Sequence, residues 1–137
     1  MELGTEENAR ILLVDSDVVV CLLTKSYVFR PWCMIEMYEA IKAGKELKPV
    51  NVANAGYDFE RSLAVLTSAG DDLRDALDAV NLGAYDALKR EGYDPDDVCG
   101  TVGRTLPYLM AKPFDPSATL NVKQAQISDM LGLNPAP

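Results

Sequence analysis

The chain has 137 residues, of which 48% are hydrophobic and 25% are charged, and its formal net charge at pH 7 is −8. This length suits one domain with its own core, and this composition excludes an intrinsically disordered chain. The sequence contains no histidine, which excludes Ser-His and Cys-His nucleophilic sites and the usual His-containing zinc sites.

The acidic charge is concentrated in residues 57–97, which hold eleven acids and four bases. Such a surface repels phosphate backbones, so nucleic acid is not an expected partner. A solvated acidic face is the favoured interpretation, and a docking face for a basic partner is the alternative.

Three cysteines without a CxxC pair argue against a disulfide framework. The longest uncharged apolar run is far too short to cross a membrane, and we expect a cytoplasmic protein without a membrane partner.

In chain order, the first clear element is the continuous apolar and β-branched run of residues 18–23. This run predicts a strand buried on both faces of a parallel sheet. Residues 11–14 are also apolar, but their pattern is too short to distinguish the end of a helix from an extension of the strand.

A helix is predicted after the loop 24–30, because Pro31 is placed to open it. It should end at Gly44. Residues 48–52 predict a second short strand. The helix should face the core with a stripe of residues spaced three or four apart, namely Met34, Met37, Tyr38 and Ile41.

The acidic middle of the chain is predicted to be helical in pieces. One helix is marked by Leu73, Ala76, Leu77 and Val80. Asn81 can cap a second helix that runs to Gly92, and Asp94 followed by Pro95 is a third start signal.

The last part of the chain predicts a strand and a helix. Residues 106–113 form the strand, with Pro107 near its beginning, where proline is best tolerated. Asp115 followed by Pro116 should open the helix, which has Leu120, Ile127 and Leu131 on one side. Residues 1–133 are thus predicted to form a single α/β domain with helices on both faces of a parallel sheet, followed by a frayed tail at 134–137. Ligands of such sheets bind at the carboxyl ends of the strands, which here means the loop 24–30 and the start of the next helix.

Five features follow one another in residues 18–52. They are the apolar strand, Thr24-Lys25-Ser26-Tyr27, Trp32-Cys33, Glu36 three residues beyond the cysteine, and a strand that opens with Pro49-Val50. With this order and spacing, residues 8–60 resemble the TIR (Toll/interleukin receptor) domain family. Two departures stand out, because Arg30-Pro31 replaces residues that are usually small or polar and Asn51 replaces a residue that is commonly aromatic.

The resemblance implies a three-layer, flavodoxin-like fold and a candidate activity. Many TIR domains are NAD⁺ glycohydrolases or cyclases, and Glu36 matches the glutamate on which that activity depends. The resemblance places Ser26, Tyr27, Trp32 and Cys33 around the substrate. NAD⁺ or a related nucleotide would be a substrate rather than a cofactor, and no metal is implied. Cleavage of the bond between ribose and nicotinamide builds positive charge on the sugar, so one carboxylate can support it without histidine.

Each candidate residue also has a structural interpretation. Glu36 lies about 200° around the helix from Met34 and off the core stripe; the alternative is an ordinary first-turn acid that the helix dipole stabilises. Trp32 can be a core anchor, and Ser26 and Tyr27 can be loop-packing residues. Cys33 has no neighbouring histidine or lysine that would lower its pKa, so a nucleophilic role is disfavoured.

Compared with the family, the chain is expected to lack the first two strands of the sheet, because only seventeen residues precede Val18. The strand 18–23 would then have a single edge partner, and an open apolar edge favours strand exchange. The alternative function is therefore a non-catalytic scaffold for signal transduction that associates with other TIR domains or with itself as a homo-oligomer. An unrelated flavodoxin-like domain in which the motif is coincidental is a third interpretation.

Overall fold

The computed structural model describes residues 18–130 as a mixed α/β unit around a three-stranded parallel sheet. The strands lie in the order β1 (Val18–Leu23), β2 (Glu46–Val52) and β3 (Lys112–Phe114). The helices are α1 (Pro31–Lys42), α2 (Phe59–Leu66), α3 (Gly70–Val80), α4 (Ala84–Arg90), α5 (Pro95–Thr105) and α6 (Leu120–Met130). The predicted parallel α/β arrangement is confirmed. The predictions for residues 11–14, for Leu131 and for the tail 134–137 lie outside the described residues.

Strand β1 has one buried face and one exposed face, so the prediction that both faces are buried is wrong. Val19, Cys21 and Leu23 are buried, whereas Val20 is 40% exposed and Leu22 is 46% exposed. The physical reason lies in the connections. Two right-handed crossovers that progress in one direction across a sheet place their helices on the same face.

The core on that face joins the buried side of β1 to buried residues of α1, α2, α3, α4 and α5. Helix α6 instead contacts β3. Its Asp129 pairs with Lys112 at 3.5 Å, and the strand register puts Lys112 on the same sheet face as Val20 and Leu22. Among residues 18–130, α6 therefore covers the second face beside β3, and no helix covers it beside β1.

Helix α1 follows its sequence signals closely. Pro31 occupies the first turn, and the predicted stripe residues Met34, Met37 and Tyr38 are buried. Ile35 and Ala40 are fully buried too, because α5 packs beside the sheet against this helix. The helix ends as predicted at a left-handed glycine.

That glycine is Gly44, with φ +72. Its N–H donates to the carbonyl of Ile41 at 3.1 Å, and the N–H of Lys45 donates to the carbonyl of Ala40 at 2.8 Å. These two bonds form a Schellman motif, which satisfies carbonyls that would otherwise lack partners at the end of the helix.

The helices of the acidic middle agree with the sequence in part. Leu73 and Leu77 of α3 are buried, and Asp94 caps α5 ahead of Pro95, as predicted. Asn81 does not cap α4, whose N-cap is Gly83 with φ +88. Instead Asn81 ends α3 and donates its side-chain amide to the carbonyl of Phe29 at 2.8 Å. Because the Asn81 side chain is bonded to Phe29, it does not cap α4.

Two boundaries near the end of the described chain were predicted wrongly. Residues Leu106–Tyr108 form a 3-10 turn, and only Lys112–Phe114 is strand. The fixed φ of Pro107 suits such a turn and removes a ladder donor. The last helix begins at Leu120 rather than at Asp115, because the Asp115 carboxylate accepts hydrogen bonds from the N–H and the hydroxyl of Ser117 and forms a turn there.

Candidate functional site

The candidate site lies where β1 leaves the sheet and the chain turns into α1. A 3-10 turn, Tyr27–Phe29, follows the strand. The N–H of Arg30 donates to the carbonyl of Tyr27 at 3.2 Å, and the N–H of Met34 donates to the carbonyl of Arg30 at 2.9 Å. This continuous backbone bonding carries the chain from the carboxyl end of the strand directly into the helix that bears Glu36.

Glu36 is a half-buried carboxylate on the second turn of α1. Among residues 18–130 it has no ion pair and no hydrogen-bond partner. Burial raises the pKa of its carboxyl group above the ordinary value, because leaving water disfavours the charged form. The position therefore holds a partly desolvated acid that has no counter-ion in the described part of the chain.

The charge of Glu36 acts on three neighbouring groups, the side chains of Tyr27, Cys33 and the strand residue Cys21. Burial raises the pKa of the Cys21 thiol to about 12, although the hydrogen bond from the Tyr27 hydroxyl opposes the rise. Burial also raises the pKa of Tyr27, and the charges of Cys21, Cys33 and Glu36 add to the effect. Burial thus disfavours the charged form of all four groups, and Glu36 is the only one of them whose ordinary pKa lies below neutral pH.

The same environment argues against Cys33 as a nucleophile. Burial raises the pKa of its thiol, the charge of Glu36 raises it further, and only Arg30 acts in the other direction. A thiol that stays protonated is a poor nucleophile, so Cys33 is better suited to line the cluster.

The two remaining predicted residues lie differently. Trp32 is half-buried and packs against the main core, which agrees with the core-anchor interpretation. Ser26 is exposed, and its hydroxyl oxygen accepts a hydrogen bond from the guanidinium of Arg30 at 3.4 Å. The structure therefore brings Glu36, Tyr27 and Cys33 together and leaves Ser26 outside the cluster.

Cys21 is the member of the cluster that the sequence did not indicate. In a run of six apolar residues, a cysteine is expected to act as a small hydrophobic side chain. The available signal was its alternation with Val19 and Leu23, which places all three on one face of the strand.

Two cavities lie near the sheet. A cleft of about 440 Å³ is found at the carboxyl ends of β1 and β2, where Ser26 is part of its lining. A cavity of about 380 Å³ lies along β2 and the start of β3. Neither is lined by Glu36. Within residues 18–130, no group of cysteines and carboxylates is arranged to hold a metal ion, and no helix has the length and apolar character needed to cross a membrane.

No family model, no curated protein and no solved structure matches this chain. The resemblance to TIR domains therefore stays a prediction that depends on the five ordered features and on the residues that carry them.

Proposed function

We propose that this chain is a TIR-like signalling domain that hydrolyses the bond between nicotinamide and ribose in NAD⁺, with Glu36 as the essential carboxylate. The observation that supports the proposal is the environment of Glu36, which is half-buried and has no cation among residues 18–130 to neutralise it. The proposal includes a flavodoxin-like layout and a cytoplasmic location.

The chemistry suits a single carboxylate. When the glycosidic C–N bond breaks, nicotinamide leaves as a neutral molecule, and the positive charge moves to the ribose ring. A carboxylate that is already desolvated interacts with that charge more strongly than one in water does. Water then adds to the sugar carbon and releases its proton to solvent, so no histidine is required.

Neighbouring groups have matching roles in this proposal. The hydroxyl of Tyr27 donates its hydrogen bond to Cys21, so its oxygen can accept a hydrogen bond from a ribose hydroxyl. Its raised pKa keeps this hydroxyl protonated. Cys33 stays a neutral thiol for the same reason. The anionic charge near the sugar then comes from Glu36 alone.

The test compares nicotinamide release from NAD⁺ by the unaltered protein and by Glu36→Gln. We expect the variant to lose about 100-fold or more of the activity, the usual cost of removing a group that stabilises charge in a transition state. Glu60→Gln is the control, because Glu60 is an exposed acid in the first turn of α2. Equal rates for the unaltered protein and Glu36→Gln, or no release above background at high protein concentration, would contradict the proposal.

A non-catalytic self-association scaffold is the second candidate, and the exposed side of β1 favours it. Val20 and Leu22 are exposed apolar residues, and no strand among residues 18–130 pairs with the outer edge of β1. A mass in solution that rises with concentration, without nicotinamide release, supports the scaffold over the enzyme.

A further inference from the structure

A cleft lies at the carboxyl ends of β1 and β2, and its lining does not include Glu36, Tyr27 or Cys33. It has a volume of about 440 Å³, which falls in the range of small-molecule pockets. Its lining comes from the loop after β1, the loop after β2, the start of α2 and the end of α3, and consists of Lys25, Ser26, Phe29, Gly56, Asp58, Arg61, Ser62, Ala79 and Val80.

The walls of the cleft are tied to one another by backbone and side-chain contacts. The N–H of Lys25 donates to the carbonyl of Ala55 at 2.9 Å, which joins the two strand-end loops. Gly56 adopts φ +78, and a Cβ there would lie 3.3 Å from the Cβ of Lys25. On the far side, Asn81 holds the carbonyl of Phe29 at 2.8 Å. The cleft is therefore framed by fixed elements rather than by a loose loop.

The charge of the cleft contrasts with that of the molecule. Lys25 and Arg61 both line it, and neither has an ion pair with another described residue, although the chain carries 21 acids and 13 bases. The one acid in the lining, Asp58, is already engaged, because its carboxylate accepts the N–H of Arg61 at 3.0 Å as the N-cap of α2. The lining therefore carries two cations and one acid, and neither cation forms an ion pair within residues 18–130.

The remaining lining groups match an anion that carries an organic part. Ser26 supplies an exposed hydroxyl group, whereas Ser62 is only 3% exposed and its hydroxyl group hydrogen-bonds to Tyr57. Ala79 and Val80 form an apolar wall at the end of α3. Cations and hydroxyls bind phosphate oxygens through charge-assisted hydrogen bonds, and the apolar wall suits the carbon skeleton of the same ligand.

We infer that this cleft binds the phosphate or diphosphate group of a small phosphorylated molecule, with Lys25 and Arg61 as the principal ligands. The inference does not rest on the proposed hydrolysis of NAD⁺, since a protein that releases no nicotinamide can still bind a phosphate group here.

The experiment titrates the full chain with inorganic pyrophosphate at low ionic strength and follows backbone amide shifts by NMR. We expect shifts concentrated at residues 25–26 and 56–62. Lys25→Met and Arg61→Met should each weaken binding about tenfold, the usual loss for one charge-assisted hydrogen bond. Arg90→Met is the matched control, because it removes the same charge from an exposed residue at the end of α4, and binding should stay within about twofold of the original.

A substitution that strengthens binding makes the test sharper. Asp58→Asn keeps a good N-cap residue on α2 and removes the one negative charge in the lining, so pyrophosphate should bind several-fold tighter. The inference is overturned if pyrophosphate does not bind, if its shifts spread over unrelated basic residues, if Arg61→Met and Arg90→Met lose affinity equally, or if Asp58→Asn leaves the affinity unchanged.

Discussion

Glu36 keeps its charge at a cost to the stability of the fold, because its half-buried carboxyl group has a raised pKa and no cation among residues 18–130 offsets the loss of water. An acid whose folded pKa is raised binds more protons in the folded than in the unfolded state between the two pKa values. Stability therefore falls as pH rises through that window and stays lowered above it.

We predict that Glu36→Gln stabilises the protein at neutral pH by roughly 0.5 kcal/mol, which is the small gain typical of relieving a strained functional position. The gain should shrink as the pH falls from above the raised pKa of Glu36 toward the ordinary glutamate value, because the carboxyl group then becomes neutral in both states. Urea unfolding at a series of pH values measures it.

Glu60→Gln serves as the control for stability as well, since Glu60 lies in the first turn of α2, where the helix dipole favours its charge. That substitution should be neutral or slightly destabilising. A Glu36→Gln variant that is less stable than the original at neutral pH would show that its carboxylate has a favourable partner.

At the scale of residues, sequence order predicted the members of the cluster that follow one another closely, Tyr27, Cys33 and Glu36. It did not separate Ser26 from Tyr27, because the two sit at the start of a tight 3-10 turn that sends adjacent side chains in different directions. Nor could it show that Lys25 shares a cleft with Arg61, since that contact depends on how the loops after β1 and β2 meet.

At the scale of elements, the approach of α5 to the end of α2 depends on a glycine. A Cβ on Gly103 would lie 3.0 Å from the Cβ of Leu66 and 3.1 Å from its carbonyl oxygen. Gly100, on the same helix, would place its Cβ 3.0 Å from the guanidinium of Arg104. A backbone carbonyl cannot move aside cheaply, whereas the end of an arginine side chain can.

We predict that Gly103→Ala destabilises the protein by about 1–3 kcal/mol, the usual cost of overpacking a tight contact. Gly100→Ala should instead stabilise it by about 0.5–1 kcal/mol, because alanine is the better helix former. Denaturant unfolding of both variants measures the difference. Two substitutions with the same sign and size would mean that α2 and α5 are not in close contact.

Helices α1 and α5 are also joined by a polar contact. The hydroxyl of Tyr38 donates to the carboxylate of Asp97, and the Tyr38 ring meets that of Tyr93 edge to face, with centroids 5.8 Å apart. The hydrogen bond is the main cause of the raised pKa of Tyr38.

Tyr38→Phe removes the hydrogen bond to Asp97 and keeps the ring contact with Tyr93, so it measures what the hydrogen bond alone contributes to stability. We predict a loss of about 1–2 kcal/mol in the free energy of unfolding, as for other bonds to charged acceptors. A double-mutant cycle with Asp97→Asn should show a coupling energy above about 0.5 kcal/mol. Strictly additive losses would refute the contact.

Elements with strong local signals could be predicted, and those defined by tertiary contacts could not. The proline start and glycine end of α1 are local, and so is the Asp94 cap of α5. Helix α2 has only a weak local signal, because its eight residues carry a short apolar pattern, although Asp58 is a good N-cap. The 3-10 turn at Leu106–Tyr108 replaced a predicted strand because an apolar run alone does not tell a turn from an extended segment.

At the scale of the whole molecule, the two edges of the sheet differ. Strand β3 has three residues and includes Lys112 and Pro113, which are features that discourage pairing with another strand. Strand β1 has six residues and no charge, and its outer edge has no strand partner among residues 18–130. Within residues 18–130, the edge without a strand partner therefore adjoins the face that carries the exposed Val20 and Leu22.

We predict that this side of the sheet drives self-association, because an uncharged edge strand and an adjoining apolar face both gain free energy when another copy covers them. Leu22→Lys places a charge on that face, where the side chain is already 46% exposed, so folding should be little affected. Sedimentation over a range of protein concentrations should then show a mass that rises for the original chain and stays near that of a monomer for the variant. Leu82→Lys is the matched control, since Leu82 is 86% exposed and lies in the turn between α3 and α4 rather than on a strand. If both variants associate as the original does, the exposed side of β1 is not the contact; if only Leu22→Lys is monomeric and nicotinamide release is lost with it, association and catalysis belong to one mechanism.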